Sequence, residues 1–518
     1  MQQKKISLWQ ISLLSTGGMI GSGWLFSPFF GYQTAGIGVI LSWIIAAFIT
    51  FIIGLTFAEV SSILPIVGGI SRFIGVTHSS STAFLFLIIG WLSYVVYLPL
   101  EAQSVIQYLG YWFPILVVKS NDQFQLSRLG VSCAVIIIFS ITWFNTLIIT
   151  KVTKANAIIS FWKIGIPLVI ALVVIIGFGN WHTLVNPHNF TKVSGENIFL
   201  AITESGLVFA FSGFQNGLIL ANNVDNPKKA LPYSLFSPII IGLILYILLS
   251  LCFLTTLNTE QKQLINMVAP LLGLISLLGL NILFTILFMD AIIAPLGTTN
   301  VYVAVTSRIL LGLGKDFLPN SWITKLNKNQ SPEHCLWVNA FIAIIFLFPV
   351  PTWKELVSFL SSIAVFAYLA GPVSLLVLRS KKLNIPRKFS IKGYKFFGYF
   401  SYICGGLLMY WSGLKNLIYL NVTLTIILII YIILNKSSIF RVFINNSYLL
   451  CYIIGLTVIS YCHKKNIIGF PLDNYLVIII GFVGCYLFVK SSLATKEIKL
   501  NLEKIHLELE SDIKANKG

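Results

Sequence analysis

Five ionisable side chains stand inside long apolar runs of this chain: Glu59, Glu101, Lys163, Glu204 and Asp290. Within a bilayer such groups are costly, and they face a cavity or a partner. Glu59 and Glu204 lie near the ends of their runs, where interfacial water is a sufficient partner. Glu101, Lys163 and Asp290 lie deeper, and Lys163 is the only cation at that depth. Desolvation penalises the charged form of a buried lysine, so Lys163 is a candidate to release and regain a proton in each cycle. The competing reading is a permanently charged lysine paired with Asp290, Glu101 or helix-end carbonyls, which holds the bundle together.

A second kind of chemistry comes from glycine. The first apolar run reads Thr16-Gly17-Gly18-Met19-Ile20-Gly21-Ser22-Gly23, and the sixth reads Phe209-Ala210-Phe211-Ser212-Gly213-Phe214-Gln215-Asn216-Gly217. Unwound backbone at membrane depth survives only where it lines a cavity in the protein. Paired interruptions, one in each half of a helical chain, point to a transporter's substrate site. The half-helix after the first break offers unpaired N–H groups and a positive dipole end to a carboxylate. Carbonyls at the ends of the preceding half-helices accept from an ammonium, so main chain alone matches both ends of an amino acid. Phe209, Phe211 and Phe214 are candidate pocket walls. A lone glycine cluster would instead read as close helix packing.

The elements that position these residues are membrane spans. The chain has 518 residues, 57% of them hydrophobic and 10% charged, with a mean hydropathy of +0.88. That excludes a soluble domain of this size. Runs long enough to cross a bilayer of roughly 30 Å occur fourteen times, at about 6–31, 37–64, 82–112, 128–149, 155–177, 197–221, 234–257, 270–303, 335–350, 353–378, 396–414, 418–434, 447–462 and 472–489. The thirteenth is short and the ninth nearly abuts the tenth at Pro351, so twelve spans with an interfacial hairpin is the alternative.

The net charge of +18 comes from 35 Lys/Arg against 17 Asp/Glu. With the N-terminus inside, 26 of those cations fall in cytoplasmic segments and 8 in outer ones. This is the positive-inside pattern, not the footprint of a nucleic-acid binder, and it places both termini in the cytoplasm. Lys4-Lys5 before an apolar stretch imitates a signal peptide, but the run continues to Phe30 without a small-x-small cleavage site. Seven scattered cysteines show neither metal nor redox spacing. No phosphate-binding loop or dinucleotide fingerprint is present, and no catalytic cluster, metal site or cofactor signature emerges. The chain therefore does not read as an enzyme or an ATP-driven pump. From Lys490 onward charges alternate, and Ile498, Leu502, Ile505 and Leu509 share one helical face. That fits a short cytoplasmic helix acting as a juxtamembrane anchor, or a regulatory or oligomerising element.

Several segments carry a family resemblance: the Gly21-Ser22-Gly23 break, Phe57-Ala58-Glu59-Val60, Pro65-Ile66-Val67-Gly68-Gly69, Asn226-Pro227-Lys228-Lys229-Ala230-Leu231-Pro232, Ser307-Arg308, Phe317-Leu318-Pro319 and Trp322 to Asn327. In order and spacing they resemble the amino acid–polyamine–organocation permeases over about residues 6–435. Within that family the extra C-terminal spans, Glu101, Lys163 and Asp290 look most like the bacterial aspartate–proton symporter subgroup.

The resemblance implies an all-α integral membrane fold of two inverted five-helix repeats, with helices 1–5 at about 6–177 and helices 6–10 at about 197–378. Helices 1 and 6 are unwound at the site. The transport core is then 1–380, followed by C-terminal helices 11–14 in 381–489 and a charged tail at 490–518, for 12–14 spans in total. Carried over by position, Ile20, Gly21, Ser22 and Gly23 bind the substrate carboxylate, while Phe209, Phe211, Ser212 and Gly213 meet the amino group and cover the substrate. Lys163 matches the fifth-helix lysine of proton-coupled members, with Glu101 and Asp290 as further coupling candidates. Where many members carry a glutamate before the Asn-Pro motif, this chain has Asn222-Asn223, which puts a cytoplasmic-gate salt bridge in question.

The implied function is proton-coupled import of an amino acid, aspartate or glutamate among the candidates, across a bacterial inner membrane by alternating access. Its partners are substrate, protons and the bilayer. Two readings compete: an amino acid/amine exchanger without a net proton step, and a membrane sensor on a transport fold. Substrate identity and oligomeric state are not legible in the sequence.

Overall fold

The computed structural model describes residues 8–63, 73–120, 123–147, 152–185, 190–215, 218, 227–257, 268–318, 321–329, 331–348, 352–381 and 387–503. These residues are almost wholly helical. Every apolar run of the sequence contains helix, and several runs are divided. The first holds α1 (Leu8–Met19) and α2 (Gly23–Ala35); the second is α3 (Val39–Ile63). A one-turn α4 (Phe73–Thr77) precedes the third, made of α5 (Ser80–Val95) and α6 (Tyr97–Leu109). Then come α7 (Arg128–Leu147) and α8 (Val152–Phe178), followed by a broken sixth run, α9 (Gly195–Glu204) and α10 (Leu207–Ala210). The seventh to tenth runs give α11 (Pro227–Thr256), α12 (Pro270–Leu277), α13 (Asn281–Phe317), α14 (Glu333–Ile345), α15 (Trp353–Tyr368) and α16 (Ala370–Ser380). The last four are α17 (Tyr394–Trp411), α18 (Leu414–Asn435), α19 (Ile439–Lys464) and α20 (Leu472–Lys490). The one sheet among the described residues is an antiparallel pair, β1 (Val117–Ser120) with β2 (Gln123–Leu126), in which Val117 faces Leu126.

Ten helical stretches among the described residues are long and apolar enough to cross a membrane, judged by length and composition. The difference from fourteen runs has local causes. The first two runs merge because α2 continues into α3 through the short turn Gly36–Gly38. The sixth is interrupted, and α14 has only 13 residues. α17 is diluted by Lys395, Gly398, Ser401, Gly405 and Gly406. Conversely, the thirteenth run is not short. α19 has 26 residues because it begins before the apolar core and runs through Arg441, Asn445 and Asn446. Asn446 is kept in the interior by hydrogen bonds to Ser81 Oγ (3.1 Å) and Val442 O (2.9 Å).

The chain divides into two compact units: Met1–Phe51, Trp91–Gly217 and Tyr233–Ser361 form the first, and Ile52–Gly90, Leu218–Pro232 and Ser362–Gly518 the second. In the first unit α6 packs on α13, α1 on α8, and α9 and α10 on α2. This brings together the helices that carry Glu101, Lys163, Asp290 and both glycine breaks.

In the second unit α17, α19 and α20 pack on one another, with Tyr452 seated against Gly406 and Gly484. Glu59 is fully buried here rather than reaching interfacial water. Arg379 Nε lies 2.6 Å from its carboxylate, Arg387 Nε 3.8 Å, and the Ile391 N–H donates at 2.7 Å. A buried acid survives because it is paired and hydrogen-bonded, which explains Glu59 structurally.

The tail is helical over residues 495–503 and docks on α4. The Leu493 N–H donates to Thr77 O (2.8 Å) and the Asn501 side chain to Val76 O (3.3 Å). Ile498 and Leu502 are buried, so this much of the apolar face lies against protein. Ile505 and Leu509 lie outside the described residues, as do Lys4-Lys5, Pro65 to Gly69, Asn222-Asn223 and Asn226.

Candidate functional site

The first run stays helical through Gly17 and Gly18 and is interrupted at residues 20–22, around Gly21. The Ile20 N–H still reaches back to Thr16 O (3.0 Å), but the Gly21 N–H bends to Met19 O (3.1 Å), and α2 starts only at Gly23. Ile20, Gly21 and Ser22 are buried, so their polar backbone needs partners from elsewhere. The Ser22 N–H is met by Glu101, whose Oε1 and Oε2 lie at 3.1 and 2.9 Å. Glu101 thus caps α2 from another helix, at the end where the helix dipole favours negative charge. A Cβ on Gly21 would stand 2.5 Å from Glu101 Oε1, so glycine is what admits the carboxylate. The Ser22 hydroxyl accepts from Trp353 Nε1 at 3.0 Å, and that indole stacks on Phe26 with centroids 4.6 Å apart.

The second break follows Glu204. Gly206 has φ +76°, α10 makes a single turn, and the chain continues in turns through Gln215. Its aromatic residues part ways. Phe209 faces Trp353 (6.1 Å) and Tyr97 (5.4 Å). Phe211 faces Trp43 (5.7 Å) and Tyr246 (5.5 Å), away from the Phe209 group. The Ser212 N–H returns to Phe209 O (2.8 Å), and Ser212 is buried. Gly213 has φ +105°, a region that strains any L side chain, and a Cβ there would meet Gly18 O at 2.8 Å. A Cβ on Gly23 would meet the Ala210 Cα at 3.2 Å. The two breaks therefore touch backbone to backbone. Asn216 and Gly217 lie outside the described residues.

Lys163 is buried behind the first break. Its ammonium donates to Thr298 Oγ1 (2.7 Å) and Gly17 O (3.4 Å), and it interacts electrostatically with both Glu101 and Asp290. Asp290 Oδ1 accepts from Trp162 Nε1 (2.9 Å), while its Oδ2 is buried without a hydrogen-bond partner among the described residues. When all three groups are ionised, two carboxylates and one ammonium leave one uncompensated negative charge in an apolar interior. One proton neutralises the set. Glu204 lies outside this set and has Lys354 as its electrostatic partner.

The structure thus groups Ile20, Gly21, Ser22, Gly23, Phe209, Ser212 and Gly213 around the two breaks, with Glu101 at the first and Lys163 and Asp290 behind it. Phe211 serves a neighbouring aromatic cluster. Sequence reasoning missed Trp353, Thr298, Gln215 and Tyr94. For Thr298 a signal existed, since it lies on the same helix as Asp290 two turns on. Trp353 gave none beyond its place at the start of the tenth run.

Polar backbone exposed by two interrupted helices, meeting inside a many-helix membrane protein, is the architecture of a membrane transporter. The sequence profile of the amino acid permease family matches residues 6–434, and the chain belongs to that family; it is a multi-pass membrane transporter of amino acids, not an enzyme. It is 29% identical over 508 residues to the aspartate-proton symporter of Bacillus subtilis (strain 168), covering 94% of this chain and 96% of the relative. It is 26% identical over 520 residues to the glutamate/serine transporter AimA of the same organism, covering 96% and 95%. The branched-chain amino acid permease BcaP, also from that strain, is 25% identical over 407 residues, 76% of this chain and 84% of the relative.

Proposed function

We propose that this protein is a proton-coupled importer of an acidic amino acid, aspartate or glutamate, working by alternating access. The observation that carries the reading is the Glu101 carboxylate on the Ser22 N–H at the start of α2. A site that holds an internal carboxylate there is built to hold a substrate's α-carboxylate there instead. Ile20, Gly21, Ser22 and Gly23 receive that carboxylate. Phe209, the Phe211 backbone, Ser212 and Gly213 meet the ammonium end, and the Phe211 ring anchors the second break from behind. When substrate arrives, Glu101 loses its N–H donor and is left with Lys163, which it shares with Asp290, as its counter-charge, and a proton taken up by the Glu101–Lys163–Asp290 set removes the one negative charge that the ionised set carries. Binding and protonation are linked because each removes the cost of the other. The names of two relatives, an aspartate-proton symporter and a glutamate/serine transporter, support the substrate class.

The fold that goes with this reading has two inverted five-helix repeats, at about 6–177 and 197–378, within a core of 1–380. Helices 11–14 lie in 381–489, and the tail at 490–518 is cytoplasmic together with the N-terminus. The setting is a bacterial inner membrane.

A second reading has one observation in its favour. Lys163 is anchored to Thr298 and Gly17, as a fixed structural cation would be, which suits an exchanger without a net proton step.

The test is uptake of radiolabelled amino acids into proteoliposomes without sodium, with and without an inward proton gradient, for the wild type and K163A. Accumulation of aspartate or glutamate only with the gradient, lost in K163A while counterflow exchange persists, is the expected result. Gradient-independent exchange of the wild type would move the protein to the exchanger class.

A further inference from the structure

Among the described residues no carboxylate meets the second break as Glu101 meets the first, and the question is what holds its backbone in a receptive shape. Its carbonyls can be traced one by one. Val208 O accepts the Phe211 N–H (3.2 Å), Phe209 O accepts the Ser212 N–H (2.8 Å), and Ala210 O accepts the Tyr246 hydroxyl (2.8 Å). Among the described residues no donor reaches the carbonyls of Phe211 and Ser212. An incoming ammonium, whose hydrogens need acceptors, can be met by these two.

Just beyond them the chain would be free to rewind or fray, since Gly213 is a glycine at φ +105°. It is held by one side chain. Gln215 Oε1 accepts the Gly213 N–H at 3.1 Å, and Gln215 Nε2 donates to the Tyr94 hydroxyl at 2.9 Å. Gln215 and Tyr94 are both buried, so each bond forms away from competing water.

Tyr94 is itself fixed by a run of rings. It meets Tyr302 (5.7 Å), Tyr302 stacks on Tyr97 (3.9 Å, 9°), and Tyr97 meets Phe209 (5.4 Å). The contacts close a loop from Phe209, where the break opens, round to Gly213, where it ends.

We propose that Gln215, through Tyr94, is the positioning residue for the ammonium half of the substrate site. It acts on the substrate through Gly213 and the carbonyls preceding it. The inference rests on the transport reading above. It makes a demand that a general packing role does not: loss of Gln215 must weaken recognition of the amino group selectively and leave the carboxylate end intact.

The experiment is proteoliposome uptake of L-aspartate and L-glutamate by the wild type, Q215L, Y94F and the double variant. The α-hydroxy acids of the same skeletons, L-malate and L-2-hydroxyglutarate, serve as competitors. Leucine keeps the volume of glutamine and removes both bonds. Q215L is expected to raise KM about tenfold with Vmax within twofold of wild type, and Y94F to raise KM about threefold. The double variant should resemble Q215L, because Y94F keeps the ring and removes only the hydroxyl that Gln215 bonds. Inhibition by the hydroxy acids should change less than twofold.

An unchanged KM in Q215L overturns the proposal, and so does a parallel loss of amino acid and hydroxy acid affinity, which would mean that the whole site had loosened. If Q215L fails to insert, the Y94F result decides alone: no rise in KM refutes the role. A wild type that moves no amino acid under any gradient ends the transport reading and this inference with it. A Q215L that behaves as wild type ends only the inference.

Discussion

His78 has both ring nitrogens engaged: Nδ1 lies 2.8 Å from Thr77 Oγ1 and Nε2 2.9 Å from Phe488 O. Because it joins the end of α4 to α20, its protonation state bears on how firmly those elements hold together. The ring is buried between α4 and α5, outside the spans, and burial lowers its pKa from the ordinary 6.5 to about 4. The carbonyl contact opposes that shift and is the smaller effect. The native state therefore holds a neutral imidazole, while an unfolded or detached segment binds a proton below about pH 6.5. Stability from this group is complete above that pH and drains away as pH falls toward 4, amounting to roughly 2 kcal/mol by pH 5. Thermal unfolding of the detergent-purified protein at pH 7.5 and pH 5 checks this. H78N should be the less stable at pH 7.5, and the gap should narrow by about that amount at pH 5. A gap independent of pH would show that His78 contributes packing only.

At the level of elements, the two breaks depend on each other. Gly213 stands in a backbone region closed to L side chains and lies against Gly18 O. Gly213→Ala must either leave that region or push the first break away, at a cost of about 1–3 kcal/mol. Uptake should fall tenfold or more although the protein still inserts. Gly312 in α13 is the matched control. A Cβ there meets nothing within 4 Å, and alanine is the better helix former by roughly 0.5–1 kcal/mol, so Gly312→Ala should transport within twofold of wild type. Equal losses in the two variants would mean that added bulk, not the geometry of the break, is what matters.

The contrast also shows what the sequence could reveal. Gly17 to Gly23 and Phe209 to Gly217 announced two breaks, because glycine runs inside apolar helices are a local signal. The partners of those breaks were invisible. Glu101 meets Ser22 across 79 positions and Trp353 meets it across 331. Which face of a span turns inward is not written in an apolar run, since lipid and protein interior both select apolar side chains and the helical periodicity fades. For the same reason Phe209 and Phe211, two residues apart, looked equivalent and lie in different clusters. The tail was more legible. Ile498 and Leu502 stood out on one face because Lys496, Glu497, Lys499, Asn501 and Glu503 around them are charged or polar.

For the molecule as a whole, the strongest constraint is the placement of charge. Between 379 and 395 the chain carries seven Lys/Arg, and the 26-to-8 division expected from the sequence, with the N-terminus inside, makes a prediction of sidedness that can be tested loop by loop. Helix length adds an independent constraint in the C-terminal region. α18, α19 and α20 have 22, 26 and 19 residues. At 1.5 Å per residue they extend about 33, 39 and 28 Å, against a hydrocarbon core of roughly 30 Å, and none is shorter than the roughly 17 residues that suffice for a spanning helix. Three consecutive crossings put the turn after α18, with Lys436 and Arg441 nearby, on the opposite side from the turn after α19, with Lys464 and Lys465. Lys436 and Arg441 carry the inside assignment because they precede a tail with six further cations. Single cysteines at Ser437 and Asn466, in a background without the seven native cysteines, separate the possibilities. In intact cells an impermeant maleimide should label Asn466→Cys and spare Ser437→Cys, and permeabilisation should expose the second. Labelling of both from outside would mean that α19 lies along the interface instead of crossing. The reverse pattern would invert this end of the molecule and place the tail docked on α4 outside the cell.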